Sequence, residues 1–88
     1  MTHIMEVVFE RLHKYIKEYT SFTIGFYGRS KIIEIYDGDI CVGSVEIDNN
    51  RLEFATGGYE SEPHFISVDL NDGDIEAFID NIERLLWV

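Results

Sequence analysis

The sequence predicts a two-layer α+β fold: a five-stranded antiparallel meander flanked by an N-terminal and a C-terminal helix, both on its apolar face (α-β-β-β-β-β-α). Three observations carry this reading. Between Phe22 and Leu70, apolar and polar residues alternate in five short runs, the period-two mark of strands with one buried face. Short links rich in Gly, Asp and Asn separate most of the runs, so antiparallel pairing of successive strands is the default. On both sides of this stretch, apolar residues recur at spacings of three and four, as they do on amphipathic helices.

The first helix is expected from about Thr2 to Tyr19, with the stripe Met5, Val8, Phe9, Leu12, Tyr15, Ile16 and Tyr19. Thr2 suits the N-cap, where its hydroxyl accepts from a backbone N–H that has no helical partner. Glu6 near the start and Lys17 near the end complement the helix dipole. Glu10 and Lys14 stand at i,i+4, a pair worth about 0.3–0.5 kcal/mol. The sheet's apolar face needs a cover, and that accounts for the stripe without a groove-seeking or dimerising role.

The first strand sets Phe22, Ile24 and Phe26 against Thr23, Gly25 and Tyr27, and Gly28-Arg29-Ser30 breaks it. The second, residues 31–36, sets Ile33 and Ile35 against Ile32, Glu34 and Tyr36. Asp37-Gly38-Asp39 then reads as a tight hairpin turn that needs positive φ. In the third strand, residues 40–47, Cys41, Val45 and Ile47 are expected to point inward with Gly43 between them, while Ser44 and Glu46 point out. Cys41 is thus read as a small core hydrophobe. Asp48-Asn49-Asn50 is the next turn, because Asn and Asp tolerate left-handed backbone. The fourth strand, residues 51–56, sets Leu52, Phe54 and Thr56 against Arg51, Glu53 and Ala55 and ends at Gly57-Gly58. The fifth, residues 64–70, sets Ile66, Val68 and Leu70 against Phe65, Ser67 and Asp69. The last helix is expected from about Asp72 to Trp87, with the stripe Ile75, Phe78, Ile79, Ile82, Leu85 and Leu86. Asn71 and Asp72 suit its cap, and Asp74 and Glu76 its first turn.

A chain of 88 residues makes one domain, spanning 1–88. Its 45% hydrophobic and 14% aromatic content exclude a disordered class. No apolar run approaches the ~18 residues of a membrane span, and the N-terminus lacks the pattern of a signal peptide. One cysteine cannot form an internal disulfide, so a cytoplasmic location and no membrane association are expected.

The net charge is −10 and unevenly spread. Residues 1–31 hold Arg11, Lys14, Lys17, Arg29 and Lys31 against Glu6, Glu10 and Glu18. Beyond them Arg51 and Arg84 face fourteen acids. Direct nucleic-acid binding is disfavoured, since phosphate contacts need Lys and Arg. A basic partner is favoured, because an acidic field speeds encounter with positive surfaces.

The sequence therefore points to a small non-enzymatic binding protein, an inhibitor that competes with nucleic acid for a basic groove on a nucleic-acid-binding protein or complex. Its contact residues are expected in the acidic strip Asp72, Asp74, Glu76, Asp80 and Glu83, where carboxylates about one helical turn apart imitate phosphates. Glu60, Glu62 and Tyr59 in the loop from Gly57 to Pro63 would extend it, because loops on a rigid sheet are favoured contact sites. Two alternatives stand beside this. Tyr27, Tyr36 and Phe65 would form an aromatic patch on the open sheet face, suited to a homodimer. A small ligand or metal could sit beneath the Gly57–Pro63 loop.

No cofactor, metal or catalytic site is expected. Glu60, Glu62 and His64 alternate, but three ligands in five residues without fixed geometry make a poor metal site. The run Asp69-Leu70-Asn71-Asp72-Gly73-Asp74 has its glycine out of register for a calcium loop. The histidines, hydroxyls and Cys41 show no nucleophile–base motif. Glu34 and Glu46 could share the open face with Tyr27 and Tyr36, but without the burial that tunes catalytic carboxylates.

Overall fold

The computed structural model describes residues 2–29, 31–57, 64–69 and 75–86. Helix α1 (Thr2–Tyr19) leads into strands β1 (Thr23–Tyr27), β2 (Ile32–Asp37), β3 (Ile40–Asp48), β4 (Arg51–Thr56) and β5 (Phe65–Asp69), and helix α2 (Ile75–Leu86) follows. The strands form one sheet in the order β1-β2-β3-β4-β5, with every neighbouring pair antiparallel. This is the α-β5-α meander that the alternation predicts.

The turns set the register. Asp37 pairs with Ile40, and Gly38 between them has φ 62°, where a side chain would crowd the backbone. Asp48 pairs with Arg51 across Asn49 (φ 49°) and Asn50 (φ 62°). Two successive left-handed residues give the tight turn whose twist matches the flanking strands.

One apolar cluster holds the layers together. Met5, Val8, Leu12 and Ile16 of α1 and Phe78, Ile79, Ile82 and Leu86 of α2 meet Ile33, Ile35, Val45, Leu52 and Phe54 of the sheet. Both helices therefore cover the same face, α1 lying against β1 and α2 against β5. Among the described residues, no polar or charged side chain is buried. The Phe54 ring lies over Gly43: a Cβ there would sit 2.8 Å from it, so glycine leaves the room the ring occupies.

Three expectations are corrected. Cys41 does not point into the core. The β2–β3 register shifts between Ile35, which pairs with Gly43, and Tyr36, which pairs with Cys41. Val42 is the extra residue of a β-bulge, and it takes the place against the core. Cys41 is thereby carried to the open side beside Tyr36, half-buried, because one inserted residue inverts the side-chain alternation. Tyr19 ends the α1 stripe but is 60% exposed, since the helix stops there and the chain turns away. Glu10 and Lys14 form no ion pair among the described residues; the bridge that forms links Arg11 to Glu76. Thr2's capping role falls on a side chain outside those described, as do the caps expected of Asn71 and Asp72.

Candidate partner-binding surfaces

The open face of the sheet carries the first surface. From Asp48↔Arg51, two steps back along each strand bring Glu46 directly opposite Glu53. From β2, Ile32 faces Glu46 and Glu34 faces Ser44, so Glu34 stands diagonal to Glu46. Glu46 is exposed; Glu34 and Glu53 are half-buried. Directly opposed residues have Cβ atoms about 4.5–5.5 Å apart, and like charges there destabilise. Neither Glu46 nor Glu53 forms an ion pair among the described residues.

Aromatic side chains border these carboxylates. Desolvation first, and then the Glu34 carboxylate, push the Tyr36 phenol above the ordinary tyrosine range. The Tyr27 ring lies back over Gly25, its hydroxyl 3.4 Å from where a Cβ would be, and it remains 50% exposed. Phe65, opposite Ala55, is 64% exposed. Arg51 lies towards one end of the face, opposite Asp48 and Asp69, and donates from Nε to Ser67 Oγ at 2.7 Å.

The second surface is the outer side of α2. Glu76, Asp80 and Glu83 lie four and three residues apart, one above the other on the helix. Arg11 of α1 reaches this strip and donates from a terminal guanidinium nitrogen to Glu76 Oε1 at 2.7 Å. That bond and the charge behind it hold the Glu76 carboxyl below its usual range and raise Arg11. Glu83 moves the other way: desolvation and then Asp80 push it up, against the pull of Arg11. The Tyr15 hydroxyl donates to the Glu83 carbonyl at 3.2 Å. Desolvation, followed by the Glu83 charge, raises the Tyr15 phenol. Part of the strip thus fastens α2 to α1.

Of the contact residues predicted from the sequence, Glu76, Asp80 and Glu83 come together on α2, and Tyr27 and Tyr36 come together on the open face. The two groups lie on opposite layers and do not form one surface. Tyr59, Glu60, Glu62, Asp72 and Asp74 lie outside the described residues, as does most of the loop expected to cover a ligand. Glu53 and Arg11 were not predicted. Glu53 was within reach of sequence: a two-residue Asn49-Asn50 turn places it opposite Glu46 by counting. Arg11–Glu76 spans 65 positions and leaves no local mark.

Among the described residues, no group of three His, Cys, Asp or Glu side chains could hold a metal ion. None of their helices is long and apolar enough to cross a membrane. No protein-family model matches the chain, no curated protein is detectably similar to it, and no solved structure matches it.

Proposed function

We propose that this chain is a small, non-enzymatic, cytoplasmic binding domain that engages a cationic protein through its acidic open sheet face. The supporting observation is the opposition of Glu46 and Glu53, with Glu34 diagonal to them and Tyr27, Tyr36 and Phe65 around them. Opposed carboxylates work against the fold by about 0.2–1 kcal/mol. A lysine or arginine from a partner, set between them, turns that repulsion into attraction. The neighbouring rings supply cation–π contact worth about 0.5–1 kcal/mol at exposed sites. Aromatic side chains also suit the centre of an interface.

The partner class that fits is a protein presenting a row of Lys and Arg, most concretely one that otherwise holds nucleic acid. The mechanism is occupation of that cationic groove. Asp80 and Glu83 add to the field that steers encounter, while Glu76 is engaged with Arg11. A homodimer through the open face is the weaker alternative. A two-fold contact presents the same patch on both copies, and here that patch repels itself.

The test is affinity capture from nuclease-treated lysate with the wild type, with Glu34, Glu46 and Glu53 changed to Lys, and with Asp80 and Glu83 changed to Lys. The partner captured by the wild type is then titrated against salt and against competing nucleic acid. Loss of capture by the sheet-face variant, weakening by salt and displacement by nucleic acid support the proposal. An affinity indifferent to salt sinks it. Loss of capture by the α2 variant alone moves the contact to α2.

A further inference from the structure

We propose that the outer edge of β1, with the groove it makes against the C-terminal half of α1, is a second docking site, which takes up an extended acidic segment of a partner protein as an added strand. It is separate from the open face and stands or falls independently of it.

Strand β1 ends the sheet, and among the described residues nothing pairs with its outer side. Alternate residues of an antiparallel edge strand turn their N–H and C=O away from the neighbour. Natural edges are normally blunted by Lys, Pro, bulges or a covering element. Thr23-Ile24-Gly25-Phe26-Tyr27 carries no charge and no proline, and its register with β2 runs without a bulge. The other edge strand, β5, ends in Asp69.

A groove of about 260 Å³ runs beside this edge, its apolar lining supplied by Ile16, Phe22 and Ile24 and its exposed polar lining by His13 and Lys17. Its end is held in shape. Thr20 Oγ1 donates to the Ile16 carbonyl at 2.9 Å and accepts from the Phe22 N–H at 3.1 Å. The His13 ring stacks on Phe9, centroids 5.5 Å apart. An open strand edge beside a shaped groove is what strand addition requires: main-chain hydrogen bonds give affinity, and pockets for alternate side chains give specificity. A preformed groove also lowers the ordering cost of binding.

Charge selects the occupant. Lys17 lines the groove, and Arg29 and Lys31 stand in the turn at the other end of β1, so a strand added along the whole edge has a cation near each end. At physiological salt the Debye length is about 8 Å, so distant carboxylates are screened while Lys17 acts at the groove itself. An acidic segment is attracted to this edge; a second copy of the chain would bring the same lysines against it.

The probe is a fluorescent peptide alternating glutamate and valine, followed by anisotropy and by amide hydrogen exchange. Three comparisons accompany it: the same peptide N-methylated at alternate amides, a lysine–valine counterpart, and the variant Lys17→Glu. The glutamate–valine peptide should bind and protect amides of β1, the N-methylated and lysine peptides should not, and Lys17→Glu should weaken binding about tenfold. No binding of the first peptide, or equal binding of the N-methylated one, overturns the proposal. So does protection of β1 amides that rises with protein concentration without peptide, which assigns the edge to a second copy.

Discussion

The two faces of the sheet use the same local device to opposite ends. On the core face, Phe54 lies over Gly43; on the open face, Tyr27 lies over Gly25. In each case a glycine gives an aromatic ring a backbone to rest on. Phe54 is fully buried, and a Cβ at Gly43 would sit 2.8 Å from its ring. Tyr27 is half exposed, and a Cβ at Gly25 would be 3.4 Å away, ordinary contact. The core face selects for volume, because every atom there replaces water with packing. The open face instead accommodates Glu46 opposite Glu53, at a small cost in stability.

Exchange across the sheet is the sharpest way to break this comparison. Phe54→Ala should cost about 3–5 kcal/mol, enough to exhaust much of the stability expected of a small domain. Tyr27→Ala should stay within about 0.5 kcal/mol of the wild type in urea unfolding while weakening partner binding. Equal losses at the two positions would erase the distinction. The glycines come next. Gly43→Ala forces Phe54 to move and should cost about 1–3 kcal/mol by overpacking. Gly25→Ala meets ordinary contact distances and should change the urea midpoint little. A third and smaller effect has the opposite sign: Glu46→Gln removes a like-charge pair and should stabilise by about 0.2–1 kcal/mol, while lowering affinity for a cationic partner. A destabilised Glu46→Gln would mean that the carboxylate has a structural role.

The smallest expected effect separates the carboxylates of α2. The lowered Glu76 contributes stability that is present above the ordinary carboxylate range and is lost as pH falls through its depressed value. The raised Glu83 acts in reverse: its contribution is greatest below the ordinary range and fades as pH rises through its elevated value. Glu76→Gln and Glu83→Gln should therefore shift the pH profile of the urea midpoint in opposite directions across the acid range. Parallel shifts would show that Arg11 does not distinguish them.

Most of the architecture was legible in sequence because its causes are local. Period-two runs, the Asp-Gly and Asn-Asn turns and the two helical stripes each sit within a few neighbouring residues. Five strands with short links leave few arrangements other than a meander. What sequence hid depends on partners far along the chain or on a break in periodicity. The Arg11–Glu76 bridge joins the two ends of the chain. The groove beside β1 arises only when α1 and β1 pack. Val42 looks like any other apolar residue in a run of apolar residues, so nothing local announces that the alternation slips there. The candidate site was half legible: Glu34, Glu46, Tyr27 and Tyr36 could be assigned to one face by parity, but their weight against the α2 strip depends on where Arg11 reaches.

That slip at Val42 has a practical side. By reversing the phase of β3, it moves the one thiol of the chain from the interior to the solvent side of the sheet, next to Tyr36. A fluorophore attached to the unaltered protein would stand at the border of the carboxylate cluster, where arrival of a cationic partner would change its emission.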